Sequence, residues 1–296
     1  MPSPALSAPG DSPSTDPSSR WVVSPGRTAS VTLGTPWAWA GWAAHRATPS
    51  ARSAIARLYD LALVADRTYA KFTFFKLDPA WHRRDPGQRA EDKREFLAAC
   101  EDFAADRSLR AYSTVGTRGD TDLLLLSQSP ALDDIHTFHV VLAQSGLARW
   151  ATIPHSYLAM TKRSQYSEEA ARPEICTSER RYLFVYPFWK QRDWYRKDAE
   201  ERQRIMAEHI RIGRTYPEIT INTAYSFGLD DQEFVVSFEA DDPGDFLDLV
   251  QELRGSESSA YTLRDTPIFT CVSMSVAHAL DALDGAATAA GAPAIA

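Results

Sequence analysis

The sequence predicts an α+β fold: two tandem ferredoxin-like βαββαβ units whose sheets pack into a two-sheet, barrel-like core. Three observations carry this prediction. Phe74, Phe75 and Lys76, followed by Trp81, recur as Phe188, Trp189 and Lys190, followed by Trp194, at offsets of 114 and 113. The stretch from Gly116 to Asp122, ahead of apolar Leu123 to Leu126, recurs as Gly228 to Glu233 ahead of Phe234 to Phe238. Within each unit of about 100 residues, period-2 and 3.6-type apolar patterns alternate in one order, as repeated supersecondary units require.

Each element has a local reason. Tyr69 to Leu77 is an aromatic and β-branched run and reads as a strand, and Gln88 to Asp106 places Phe96, Leu97, Cys100, Phe103 and Ala104 at helical spacing. A strand near Arg110 to Val115, a turn at Thr117 to Asp120, a strand at Asp122 to Ser127, a helix at Leu132 to Leu147 and a strand at Ser156 to Thr161 complete the first unit. The second unit repeats the order with Tyr182 to Trp189, Ala199 to Arg214, Thr220 to Phe227, Phe234 to Glu239, Pro243 to Arg254 and Pro267 to Val272. That order is the split βαβ arrangement. Such a unit covers one sheet face with helices and leaves the other bare, so the pair buries its bare faces against each other. The space between those faces is the expected place for a large flat apolar ligand.

The domain boundaries expected are an irregular or disordered extension at 1–64, a first unit at 65–167, a linker at 168–180, a second unit at 181–284 and a tail at 285–296. Residues 1–20 hold six Ser and five Pro, too little apolar surface to offset chain entropy. A formal charge of −7 from 32 Lys and Arg against 39 Asp and Glu argues against a nucleic-acid partner. No run approaches a membrane span, and the N-terminus lacks the basic-then-apolar order of a secretory signal, so a cytoplasmic protein is expected. Cys100, Cys176 and Cys271 show no metal-site spacing and read as buried or idle thiols.

No dinucleotide fingerprint, phosphate loop, nucleophile elbow or zinc-protease motif occurs. His136 and His139 share a helix face, but no third metal ligand lies within sequence reach. His209 stands out among the seven histidines because Ile205, Met206 and Ile212 put its imidazole on the inward face of a predicted helix. That setting suits a core histidine bonded to a carbonyl, and equally an axial haem ligand, which needs neutral imidazole in an apolar pocket with an acceptor for its other nitrogen. In YLFVYPFWK, Tyr182, Phe184, Tyr186 and Phe188 share one side, and Tyr186 faces the inter-sheet space if that side is inward. Pro187 in mid-strand implies an edge or a bulge. Arg254, Glu257 and Ser259 cluster at a helix end, where Arg254 suits the helix dipole.

The tandem repeat, YPFWK, Trp194 and Tyr195, EERQRIMAEHIRIGRTYP and YSFGLDDQEFVVSFEADDP together resemble the chlorite dismutase family of haem proteins, in particular its coproheme decarboxylase branch, over roughly residues 65–280. The resemblance implies a homopentamer with porphyrin in the second unit. It implies His209 as proximal iron ligand, Glu257 as the carboxylate holding that histidine's second nitrogen, and Tyr186 as the radical-forming tyrosine. Lys190 resembles the lysine near a reactive propionate, Arg254 and Ser259 the propionate anchors, and Phe188 an apolar wall. The distal arginine of chlorite dismutases falls near Ile221 to Thr223, where nothing is basic; Asn222 is the polar candidate there. The implied activity is peroxide-dependent oxidative decarboxylation of coproheme to haem b. The alternatives are a chlorite dismutase-like or general haem peroxidase, and a haem carrier or sensor without turnover.

Overall fold

A computed structural model describes residues 67–166 and 172–285. The expected N-terminal extension, nearly all of the expected tail and the start of the expected linker lie outside the described residues. The first unit runs β1 (Tyr69–Leu77), α1 (Pro86–Ala104), β2 (Ser108–Ser113), β3 (Leu123–Ser129), α2 (Leu132–Leu142) and β4 (Ala151–Met160). The second runs β5 (Tyr182–Lys190), a short α3 (Arg192–Arg196), α4 (Ala199–Arg214), β6 (Thr220–Tyr225), β7 (Phe234–Ala240), α5 (Pro243–Arg254), a 3-10 turn at Glu257–Tyr261, β8 (Thr262–Arg264), β9 (Phe269–Met274) and α6 (Val276–Ala282).

The strands follow the order β7-β6-β4-β1-β3-β2-β9-β5-β8, and β7 pairs again with β5, so eight of them close a ring. Each unit contributes the same antiparallel order, β4-β1-β3-β2 and β9-β5-β7-β6, which is the tandem βαββαβ fold expected. The expected two sheets meet at both seams: β2 pairs β9 from Ala111↔Met274 to Ser113↔Val272, and β4 touches β6 at Met160↔Tyr225. Ring closure leaves few free strand edges.

Local signals fix the two helices that matter for the site. Asp198 caps α4 by accepting from Glu201 N at 2.8 Å, Glu200 and Glu201 occupy its first turn, and Arg211 and Arg214 its last, all favoured by the helix dipole. Asp242 caps α5 in the same way, with Pro243 in its first turn.

The space inside the ring is filled, which corrects the expectation of a ligand between the two sheets. Phe72, Phe74, Leu124, Leu126, Leu183, Val185, Val235 and Phe269 pack there, all at 0% exposure, with Phe74 and Phe269 stacked 4.0 Å apart. Tyr182, Phe184 and Tyr186 point the other way, toward the helices. The repeat alignment also shifts by one residue: Phe74 faces the interior while Phe188 lines the helix side, so an offset of 113 rather than 114 superposes β1 on β5. In strands a slip of one reverses every side chain.

Pro187 sits at a local edge within the closed ring, as a proline in mid-strand implies. The Phe188 carbonyl accepts from Glu233 N at 3.2 Å on the β7 side, so Pro187 turns its backbone the opposite way. There β9 stops pairing at Val185 and β8 starts at Trp189, and the missing N–H falls in that gap. The three cysteines are free and buried. No helix among the described residues is long and apolar enough to cross a membrane.

Because Phe269 joins the two halves of the ring interior, Phe269→Ala is expected to cost about 3–5 kcal/mol. Urea denaturation of the full chain, comparing midpoints at constant slope, checks this.

Candidate functional site

A hollow of about 680 Å³ lies between α4, α5 and the helix-facing side of β5, β6 and β7. Strand alternation delivers Tyr186, Phe188 and Lys190 from β5 to one wall. The 3.6-residue period delivers Met206, His209 and Gly213 from α4 to the facing wall. Arg254, Ser258, Ser259 and Asp265 close one side. Phe184 stacks on Phe246 at 4.0 Å beyond it, and with Ile212, Phe238 and Leu249 forms the packed floor. The hollow therefore brings together six of the residues singled out in the sequence: Tyr186, Phe188, Lys190, His209, Arg254 and Ser259.

His209 places Nδ1 3.4 Å from Ser258 Oγ, and its Nε2 has no hydrogen bond among the described residues. Burial first, and the Lys190 cation second, press its pKa down to about 4, so the ring is neutral at neutral pH and keeps a lone pair. Lys190 is buried and donates from Nζ to the Ser258 carbonyl at 2.8 Å; its Nζ also lies 4.8 Å over the Trp194 ring. Burial lowers its pKa to about 8 against the pull of Glu233, whose carboxylate accepts from Lys190 N at 2.8 Å. Tyr186 stacks on Phe238 at 5.9 Å. Burial and then Asp265 push its pKa well above that of a free phenol, with Arg254 opposing, so it holds its proton. Arg254 is ion-paired with Asp265.

Glu257 and Asn222 do not line this hollow. Glu257 does not reach His209: its carboxylate grips the Arg204 guanidinium with two bonds of 2.9 Å at the surface. Ser258, 2% exposed, stands where the carboxylate was expected. The physical reason is the 3-10 turn, whose three residues per turn send successive side chains in different directions. Asn222 is buried, gives its amide to Glu239 at 3.0 Å and lines a second hollow that adjoins this one. It lies on the face of β6 opposite Ile221 and Thr223, which do line the hollow. His139 bonds to Thr73 Oγ1 at 3.3 Å, and no group of three or more potential metal ligands occurs among the described residues.

Sequence reasoning missed Ser258, Asp265 and a second hollow of about 770 Å³ that adjoins the first. The two share Tyr166, Arg172, Lys190, Met206, Ile221 and Thr223. Arg67, Lys162 and Arg202 add positive charge to the second wall, and no Asp or Glu among the described residues lines it. Only Arg202 carried a signal, since it shares a helix face with Met206 and His209.

A ring of strands from two βαββαβ units, with a half-buried neutral histidine opening onto a large hollow in the second unit, defines an α+β class of protein with a single-histidine site. The family described as chlorite dismutase matches residues 89–274, and the chain belongs to that family. A coproheme decarboxylase of Mycolicibacterium smegmatis is 27% identical over 218 residues, covering 73% of this chain and 94% of that protein. A chlorite dismutase from Candidatus Nitrospira defluvii, solved with imidazole, superposes with a TM-score of 0.67 at 22% identity, over 72% of this chain and 94% of that one. A haem-binding protein from Thermus thermophilus superposes with a TM-score of 0.66 at 27% identity, over 74% of this chain and 95% of that one.

Since Asn222 gives its amide to Glu239 at the wall of the adjoining hollow, Asn222→Leu is expected to destabilise the chain by about 1–3 kcal/mol by leaving a buried acceptor unpaired. Chemical denaturation reads the loss, and Asn222→Asp, which sets a second carboxyl against Glu239, is expected to be no better.

Proposed function

We propose that the chain binds an iron porphyrin through His209 Nε2 and catalyses the peroxide-dependent oxidative decarboxylation of coproheme to haem b, with a radical on Tyr186. The observation that carries this reading is the shared hollow: a neutral imidazole with an unbonded Nε2 and an un-ionised phenol open onto the same space of about 680 Å³. The residues fit the group. A neutral imidazole with its second nitrogen against a hydroxyl is a metal ligand of ordinary type. Phe188, Ile221 and Val236 supply apolar walls, and Arg254 and Ser259 supply groups for carboxylates. Coproheme carries four carboxylates, and the second, cationic hollow offers room and charge for those that Arg254 does not meet.

Bound there, the iron supplies the reduction of peroxide and the oxidising equivalents that go with it. Tyr186 retains its proton and so would have a hydrogen atom to give up to one oxidising equivalent of the peroxide; the phenoxyl that remains would take a hydrogen atom from a propionate, the peroxide's second equivalent would accept the electron left on that carbon, and carbon dioxide would leave as the vinyl group forms. Arg254 and Ser259 hold carboxylates so that one propionate lies near Tyr186. Lys190 keeps its charge at the wall while its Nζ is committed to Ser258. The resemblance supports a homopentamer.

Purified protein mixed with ferric coproheme and given hydrogen peroxide in small steps should show stepwise loss of two carboxyl groups in the porphyrin mass. Tyr186→Phe should retain porphyrin binding and drop decarboxylation to background. Unchanged mass with intact binding in the unmodified chain would overturn the decarboxylase reading.

A further inference from the structure

We infer that Ser258 is a positioning residue that clips His209 and Lys190 together and sets a hydroxyl against the ligating imidazole, in the place where a carboxylate was expected. The inference rests on the reading that His209 takes the iron. Both oxygens of Ser258 face the Lys190 ammonium, and the hydroxyl also faces the histidine. Its carbonyl accepts from Lys190 Nζ at 2.8 Å, and its hydroxyl oxygen lies 3.4 Å from that Nζ and 3.4 Å from His209 Nδ1. The turn that holds it is itself fixed, with Ser259 N donating to Ser256 O at 3.0 Å. It is also pinned to α4 in the turn that precedes the histidine: Glu257 N donates to Glu208 at 3.2 Å, and Glu257 holds Arg204.

An imidazole that gives the Nε2 lone pair to a metal carries its proton on Nδ1, so that N–H points at the Ser258 hydroxyl oxygen. A carboxylate in that place would draw the proton toward itself and make the ring a stronger donor. A neutral hydroxyl at 3.4 Å, already facing the Lys190 ammonium, draws it weakly. Of the neighbouring carboxylates, Glu257 faces outward and is held by Arg204, and Glu208 accepts from Glu257 N. The ligand set by this arrangement is therefore an ordinary neutral histidine, and the iron it holds accepts an electron more readily than one backed by a carboxylate. Lys190 adds to this, because a cation beside the ring opposes any build-up of negative charge on it.

The test uses the full chain loaded with ferric coproheme, with Ser258→Asp, Ser258→Ala, Ser258→Thr and Glu257→Gln. The readouts are the iron–histidine stretching band of the reduced complex by resonance Raman and the midpoint potential. Ser258→Asp is expected to raise the band and lower the potential. Ser258→Ala is expected to broaden the band as the ring loses its fixed orientation, and Ser258→Thr to restore the original band and potential. Glu257→Gln is expected to move neither. The inference is overturned if Ser258→Asp and Ser258→Ala leave both readouts at their original values while the band shows histidine still bound, or if Glu257→Gln alone shifts them. Absence of any iron–histidine band in the unmodified chain overturns the ligation reading and the inference with it.

Discussion

Lys190 is the constraint on which the site depends. It is a buried cation at the end of β5, and three elements meet on it. Its backbone N–H is held by Glu233 from the end of the loop before β7, and its ammonium is held by the Ser258 carbonyl in the turn after α5. The Trp194 ring of α3 lies beneath that ammonium. Removing a single partner from such a buried charge is costly, whereas the complete set is stable. Through Ser258 the same cation fixes the turn that faces His209, so strand, turn and helix hold one geometry around the hollow. The neutral imidazole follows from this: burial and the neighbouring positive charge both disfavour its protonation.

The two units share topology but not a hollow, and the difference lies in what fills the helix-facing side. In the first unit Phe75 and Leu77 of β1 meet Phe96 and Phe103 of α1, Phe138 of α2 and the α6 residues Ala279 and Leu280 in one apolar cluster. The void left there, beside Phe75 and Leu283, is about 10 Å³. In the second unit no helix among the described residues plays the part of α6 on that side. The corresponding strand presents Tyr186 and Phe188, and the space beneath α4 stays open at about 680 Å³. One repeat has become a packed support and the other a binding site. The filled ring interior, with Phe74 stacked on Phe269, joins the two.

Much of this was legible in the sequence, and the misses have physical causes. The bounds of β1, α4 and α5 match expectation because period, cap and first-turn charge are local properties of those stretches. The α3, β8 and α6 segments were not foreseen; at seven residues or fewer, their structure is decided by packing rather than propensity. The repeat was visible, but aligning Lys76 with Lys190 hid a slip of one residue, which only the pairing register and the facing of side chains reveal. His209 and Tyr186 were readable because helix and strand periods fix the side each presents. Glu257 misled because three consecutive residues of a 3-10 turn point in three directions, and composition does not say which of Glu257, Ser258 and Ser259 turns inward. Asn222 was half readable: alternation on β6 turns its amide to Glu239 at the wall of the second hollow, while Ile221 and Thr223 line the first.

The most direct test of the central claim is an absorption titration of ferric coproheme into the unmodified chain and into His209→Ala, with and without added imidazole. A histidine-ligated spectrum is expected in the unmodified chain, with its loss in the variant and its return when free imidazole fills the space left beneath Ser258. An identical spectrum and affinity in both proteins would contradict ligation by His209.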